Sequence, residues 1–249
     1  MAISLIAGAI TFVFTTMLTI AGVGAAFILI PVFIGLGIDV HIAMATALLL
    51  NSIAMMFASW RFSKKKLIMW KVAVPILIIA TVLAPVGAYI STSLDRELLL
   101  WMFVGFLLFA AGMMLFYKPV QREKLVSKQK EVASGLSVGA FAGFLGGLLG
   151  VGGGNFIVPV LVWLGYAPKK ASATTSFIVI FSSFSGFLGH ATVGSIEPGL
   201  LGFTAAGSAL GAIAGSWLMT EKLKQKQVKM IIGIVLLGIA VKMIWNLLG

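Results

Sequence analysis

The chain has 249 residues, 60% of them hydrophobic and 10% charged, with a formal net charge of +11. A water-soluble domain of this size could not cover so much apolar surface, so the class is a polytopic membrane protein. The absence of cysteine excludes a thiolate metal site, disulfides and thiol redox chemistry.

The opening stretch, MAISLIAGAI, lacks a positive leading region and reads as the start of the first membrane segment rather than a cleaved signal. Apolar segments then run roughly over 4–21, 26–37, 42–60, 72–91, 98–117, 132–149, 155–165, 171–189, 198–219 and 230–248. Most approach the ~20 residues that span a bilayer core. Segments 26–37 and 155–165 do not: a helix of about 11 residues is only ~16 Å long and cannot cross alone.

Both short segments follow a glycine run. Residues 22–32 read GVGAAFILIPV and residues 150–160 read GVGGGNFIVPV. Each leads to a further glycine (Gly37, Gly165) and then to an A-x-A-T run (Ala43 to Thr46, Ala171 to Thr174), all at one constant offset. The same offset carries Pro31 onto Pro159, Gly87 onto Gly215 and Gly105 onto Gly233. The chain therefore reads as two tandem copies of one unit, 1–117 and 132–249, joined by a polar linker over 118–131. The i,i+4 charge pairs of that linker allow a short helical extension.

Sixteen of the 18 Lys and Arg residues fall in four short loops, 61–71, 118–131, 165–171 and 220–229. That pattern sets membrane orientation and argues against nucleic acid as a partner. It puts these loops in the cytoplasm, and loops 37–41, 92–97 and 190–197 outside. Six segments then alternate as single crossings. Segments 4–21 plus 26–37, and 132–149 plus 155–165, must each enter and leave on one side; the simplest object is a hairpin tipped by the glycines, and a full span followed by a strongly tilted return also fits. The expected fold is all-α: two inverted-topology repeats, each a Gly-tipped helical hairpin plus three transmembrane helices. Both termini are then extracytoplasmic, in a plasma or inner membrane. Trp60, Trp70, Trp101, Tyr117, Trp163, Trp217 and Trp245 fall near segment ends, as an interfacial belt requires.

The tips are the candidate substrate site. Irregular backbone inside a bilayer is tolerated where it is buried in protein or lines a wet cavity, and each tip precedes a helix N-terminus with free N–H groups and partial positive charge. Two such ends meeting at the midplane would bind an anion without any Lys or Arg. The candidates are Gly22, Gly24, Gly150, Gly152, Gly153, Gly154 and Asn155. Asn155 corresponds to Phe27, so the site would be asymmetric. Close helix packing is the alternative for glycines, and it fits Gly139, Gly143, Gly147 and Gly207, Gly211, Gly215 better.

A second group follows each hairpin: Thr46 and Asn51, then Thr174, Thr175, Ser176, Ser182, Ser183 and Ser185. The hydroxyls either bond their own i−4 carbonyls or line a polar pocket; Asn51 is costlier to bury and favours the pocket. His190 and Glu197 are either a proton-coupling pair or plain interfacial loop residues. No segment holds acid–base, triad or metal-ligand spacing, so neither an enzyme, a metal site nor a cofactor is expected.

The two G-V-G-x-x-x-(F/I)-x-x-P-V units, each followed by a Gly and an A-x-A-T run, resemble the TauE/SafE (TSUP) family of membrane transporters over about residues 4–248. The resemblance implies export or exchange of sulfur-containing anions such as sulfite, sulfoacetate or other organosulfonates. The first tip departs from the second, with Ala25 and Ala26 where the second has Gly153 and Gly154. The expected function is thus secondary transport of a small anion by alternating access within the lipid bilayer. A passive anion channel or a non-transporting membrane scaffold are the alternatives. Coupling to a proton or sodium ion and assembly as a homodimer stay open.

Overall fold

A chain in hydrocarbon must satisfy its peptide groups internally, and the ten apolar stretches do so as ten helices. The computed structural model describes residues 2–35, 38, 40–91, 96–116, 128–148, 154–190 and 198–248, with no strand among them. The helices are α1 (Ala2–Ala21), α2 (Ala26–Gly35), α3 (Val40–Lys64), α4 (Trp70–Ser91), α5 (Arg96–Phe116), α6 (Lys128–Leu148), α7 (Gly154–Trp163), α8 (Pro168–His190), α9 (Pro198–Trp217) and α10 (Gln225–Leu248). A π-helical turn, Leu218–Lys222, extends α9.

Stretches over Ser4–Ala21, Gly199–Lys222 and Gln225–Leu248 are long and apolar enough to cross a membrane on length and composition alone. The α6 helix begins inside the polar linker, at Lys128, as its charge spacing allows. Large apolar side chains such as Phe109, Phe116 and Trp245 are exposed, which suits a surface bathed in lipid.

Both short helices are bounded by the glycines that frame them. The α1 helix stops at Gly22, which has φ +73°. The Gly22 N–H reaches the Thr19 carbonyl at 3.2 Å and the Val23 N–H reaches Leu18 at 3.3 Å, the paired bonds of a Schellman stop. The α7 helix ends the same way at Gly165, with Tyr166 N–H donating to Leu161 at 3.0 Å. At the end of α2, Ile38 N–H donates to Phe33 at 3.1 Å. The Tyr166–Leu161 and Ile38–Phe33 bonds occupy corresponding positions of the two copies.

The two halves interlock. The α1 helix packs along α9, α4 along α6, α3 across α8 and α5 against α10. The repeat offset exchanges the first two pairs and maps each of the last two onto itself. Glycines permit the closest approaches. A Cβ on Gly211 would lie 2.6 Å from the Phe12 carbonyl oxygen, and Gly207 and Gly215 meet Gly8 and Thr16 on the same helix. On the other pair, Gly139 and Gly143 meet Ile76 and Ala80. In both pairs the contacts ascend together, so the partners run parallel.

The α3–α8 pair runs the other way. Asn51 pairs with Ser183 and Ser52 with Ile180, while Met55 and Val179 share a buried apolar cluster. These two corresponding helices therefore cross antiparallel.

Three basic loops converge at one end of the molecule. Lys65 and Arg61 at the end of α3 both reach Glu221 on the π-helical turn, at 2.6 and 3.3 Å. Arg61 also donates to Thr220 Oγ1, and the Lys169 ammonium at the start of α8 donates to the Thr220 carbonyl at 3.3 Å. The hydrogen bond from Lys65, with the neighbouring positive charges, holds the Glu221 carboxyl below its ordinary pKa. Burial pushes the Lys169 ammonium below its ordinary pKa, against an opposing pull from Glu221. Lys64 and Lys222 lie over the rings of Trp60 and Trp217 at the same end, as basic and aromatic residues do at a membrane interface.

Candidate substrate site

The first tip is held open by one residue of α3. The Asn51 Oδ1 accepts the Ala25 N–H at 2.7 Å, capping a donor that the helix α2 leaves free. Ile28 and Leu29 then donate to the Ala25 carbonyl and start the helix. Gly24, at φ +84°, lies against this amide: a Cβ there would be 2.5 Å from Asn51 Oδ1. Only glycine suits both the dihedral and the space.

Gly154, the first residue of α7, lies against the first tip, and a Cβ on it would sit 2.9 Å from both the Val23 carbonyl oxygen and Val179 Cγ2. The next two residues divide the work. Phe156 is fully buried and anchors α7, its ring 5.5 Å from Phe103, 4.6 Å from Phe106 and 6.3 Å from Phe141. Asn155 is buried beside the first tip.

Between the first tip and the start of α7 is a cavity of about 40 Å³ lined by Val23, Gly24, Ala26, Leu48, Asn51, Gly154, Asn155, Val179, Ser182 and Ser183. It exceeds the roughly 10–15 Å³ that admits a water. The polar side chains of the lining are two amides and two hydroxyls, which both donate and accept. Asn51 Nδ2 donates to Ser183 Oγ at 2.7 Å, which leaves the Ser183 hydroxyl proton to point elsewhere. Ser182 bonds the Val179 carbonyl at 3.3 Å. None of the lining residues carries a formal charge.

The site residues expected from the sequence divide into three sets. Gly24, Asn51, Gly154 and Asn155 come together at the cavity. Gly22, Thr46, Thr174, Thr175 and Ser176 do not line it. Gly22 packs on Ser172, and Thr46 and Ser176 donate to the carbonyls of Ile42 and Ser172 four residues back. Thr174 Oγ1 accepts the Met69 N–H. Gly150, Gly152, Gly153, Glu197 and the side chain of His190 lie outside the described residues. The pairing of Asn51 with Ser183, and the apolar walls from Leu48 and Val179, had no counterpart in the sequence reading.

A family model described as "Sulfite exporter TauE/SafE" matches residues 6–243. The chain belongs to this family. Among TauE/SafE relatives, a probable membrane transporter protein of Methanocaldococcus jannaschii is 27% identical over 178 residues, covering 69% of this chain and 66% of its own length. A probable membrane transporter protein of Bacillus subtilis is 24% identical and aligns over 93% of both chains. A sulfite exporter TauE/SafE family protein of Arabidopsis thaliana is 46% identical over 68 residues, 27% of this chain and 13% of the plant protein. With its apolar helices, this TauE/SafE chain is a multi-pass membrane protein.

Proposed function

We propose that this TauE/SafE membrane transporter carries a small oxyanion, a sulfur oxyanion or the head of an organosulfonate, in the cavity between its first glycine tip and the start of α7. One observation carries the reading: the N-termini of α2 and α7 meet at a cavity lined, among the described residues, by Asn51, Asn155, Ser182 and Ser183 and by no charged side chain. Helix N-termini favour negative charge, and amide and hydroxyl donors match an oxyanion's acceptors. No carboxylate among these lining residues repels it. The lining amides and hydroxyls offer acceptors as well as donors, so the positive ends of the two helices are what favour an anion over a cation.

Alternating access of two inverted repeats fits the antiparallel crossing of α3 and α8 and the interlocked pairs α1–α9 and α4–α6. In this reading the basic end faces the cytoplasm. Relatives named as sulfite exporters make sulfite the first probe.

Uptake of radiolabelled sulfite into proteoliposomes tests the reading. Saturable flux that is stimulated by sulfite on the far side supports a carrier. Flux without saturation points to a channel, and absence of flux for sulfite, sulfate, thiosulfate and sulfoacetate would leave a scaffold.

A further inference from the structure

Among the described residues four buried side-chain hydroxyls have no hydrogen-bond partner: Thr15, Thr19, Ser59 and Thr175. Thr15 and Thr19 have a packing role across the α1–α9 contact, since a Cβ on Gly211 or Gly215 would lie 3.0 Å from theirs. Ser59 and Thr175 have no such glycine against them. They lie on α3 and α8, the two helices that carry Asn51 and Ser183.

The antiparallel register relates all of these. Asn51 faces Ser183. One turn along, Met55 and Val179 share an apolar cluster. One turn further, the same register puts Ser59 level with Thr175. That is about 12 Å from Asn51 at 1.5 Å per residue, in the direction of Arg61, Lys65 and Lys169. From the cavity to the basic end the seam thus reads as polar, apolar, polar, cationic. An unpartnered hydroxyl in the interior is costly to keep, and two at one level of one seam call for a ligand that visits.

We infer that the anion moves between the cavity and the basic end along the α3–α8 seam, with the Ser59 and Thr175 hydroxyls as its next donors and Met55 and Val179 as the plug it must pass. Met55 suits that role, because an unbranched thioether repacks readily. At the mouth Arg61, Lys65 and Lys169 outnumber the one carboxylate among them, Glu221, and the remaining positive charge raises the local anion concentration there. The inference rests on the anion reading of the cavity.

The test compares Thr175→Val, Thr175→Ser and Ser59→Ala with wild type for radiolabelled sulfite uptake, sulfite affinity by thermal shift, and melting temperature. Thr175→Val is expected to melt no lower than wild type, to bind sulfite with wild-type affinity and to slow uptake at least tenfold; Ser59→Ala is expected to behave alike. Thr175→Ser, which keeps the hydroxyl, is expected to retain uptake. Wild-type uptake in Thr175→Val and Ser59→Ala, or equal loss in Thr175→Ser and Thr175→Val, would overturn the route while leaving the cavity in place. Failure of wild type to bind or take up any of the anions would overturn the cavity reading, and the route with it.

Discussion

Asn51 donates from Nδ2 to the Ser183 hydroxyl at 2.7 Å, tying the first half of the chain to the second at the wall of the cavity. Its other amide atom caps the first tip at Ala25. One side chain therefore couples the shape of a tip to the position of α8.

Removing that amide should uncouple them. Asn51→Leu leaves a buried Ala25 N–H without its acceptor, a loss of roughly 1–3 kcal/mol. Asn51→Asp keeps an acceptor for Ala25 but places a negative charge on the cavity wall. Both variants are expected to lose sulfite binding in a thermal-shift titration. Wild-type affinity in Asn51→Asp would remove the cavity as an anion site.

Gly24→Ala tests the same contact from the backbone side. The new methyl would meet Asn51 Oδ1 at 2.5 Å and strain a residue at φ +84°. The expected outcome is a lower melting temperature, by about 1–3 kcal/mol of stability, and weakened sulfite binding. Gly211→Ala is the control: it pushes on Phe12 in the α1–α9 contact, and should lower stability while the folded fraction binds sulfite normally.

The two tips should contribute unequally. Asn155 lines the cavity in the second half, where the first half has Phe27 at the corresponding position. Asn155→Leu is expected to reduce sulfite affinity about tenfold, the loss of roughly one charge-assisted hydrogen bond, and more than Phe27→Leu does. Equal effects on the measured Kd would refute the asymmetry.

Acid should loosen the basic end. The Glu221 carboxyl has its pKa lowered by the hydrogen bond from Lys65. A carboxylate of this kind stabilises the fold above its unfolded pKa, and the contribution fades as pH falls through the depressed folded value. Lys169 works in the opposite limb: its folded pKa is lowered by burial, so its penalty is relieved as pH rises through that value. Melting temperature against pH should show an acid limb in wild type that Glu221→Gln flattens. Superimposable acid limbs would show that Glu221 contributes nothing to stability there.

Inverted halves make a topological forecast. Because the chain has no native cysteine, Asp39→Cys and Lys170→Cys each report one position. They are expected to react with a membrane-impermeant maleimide from opposite sides of intact cells or oriented vesicles. Labelling from one common side would end the inverted reading.

Much of this fold was legible as hydropathy and spacing. Ten apolar segments became ten helices with ends shifted by a few residues, because burial in lipid leaves a helix as the only local solution for each. The glycine runs marked the tips because the Gly22 and Gly24 dihedrals are open to few other residues. The register between α3 and α8 was not legible. Nothing local in the sequence says that Asn51 meets Ser183 rather than another hydroxyl of α8. For the same reason Thr46 and Ser176 could not be separated from Ser183 in advance: each is a hydroxyl on an apolar helix, and only its neighbours decide whether it turns to a local carbonyl or pairs with Asn51 at the cavity. Leu48 and Val179 look like any packing residue until the tips are brought against them. Glu221 was invisible as a hub because its partners, Arg61 and Lys65, come from the opposite half of the chain.

The interlocked helices make the two copies interdependent. With α1 seated on α9 and α4 on α6, each copy of the repeat covers the contact faces of these helices in the other. A single copy standing alone would leave those surfaces without their cover, so the stability of each half is tied to the presence of the other.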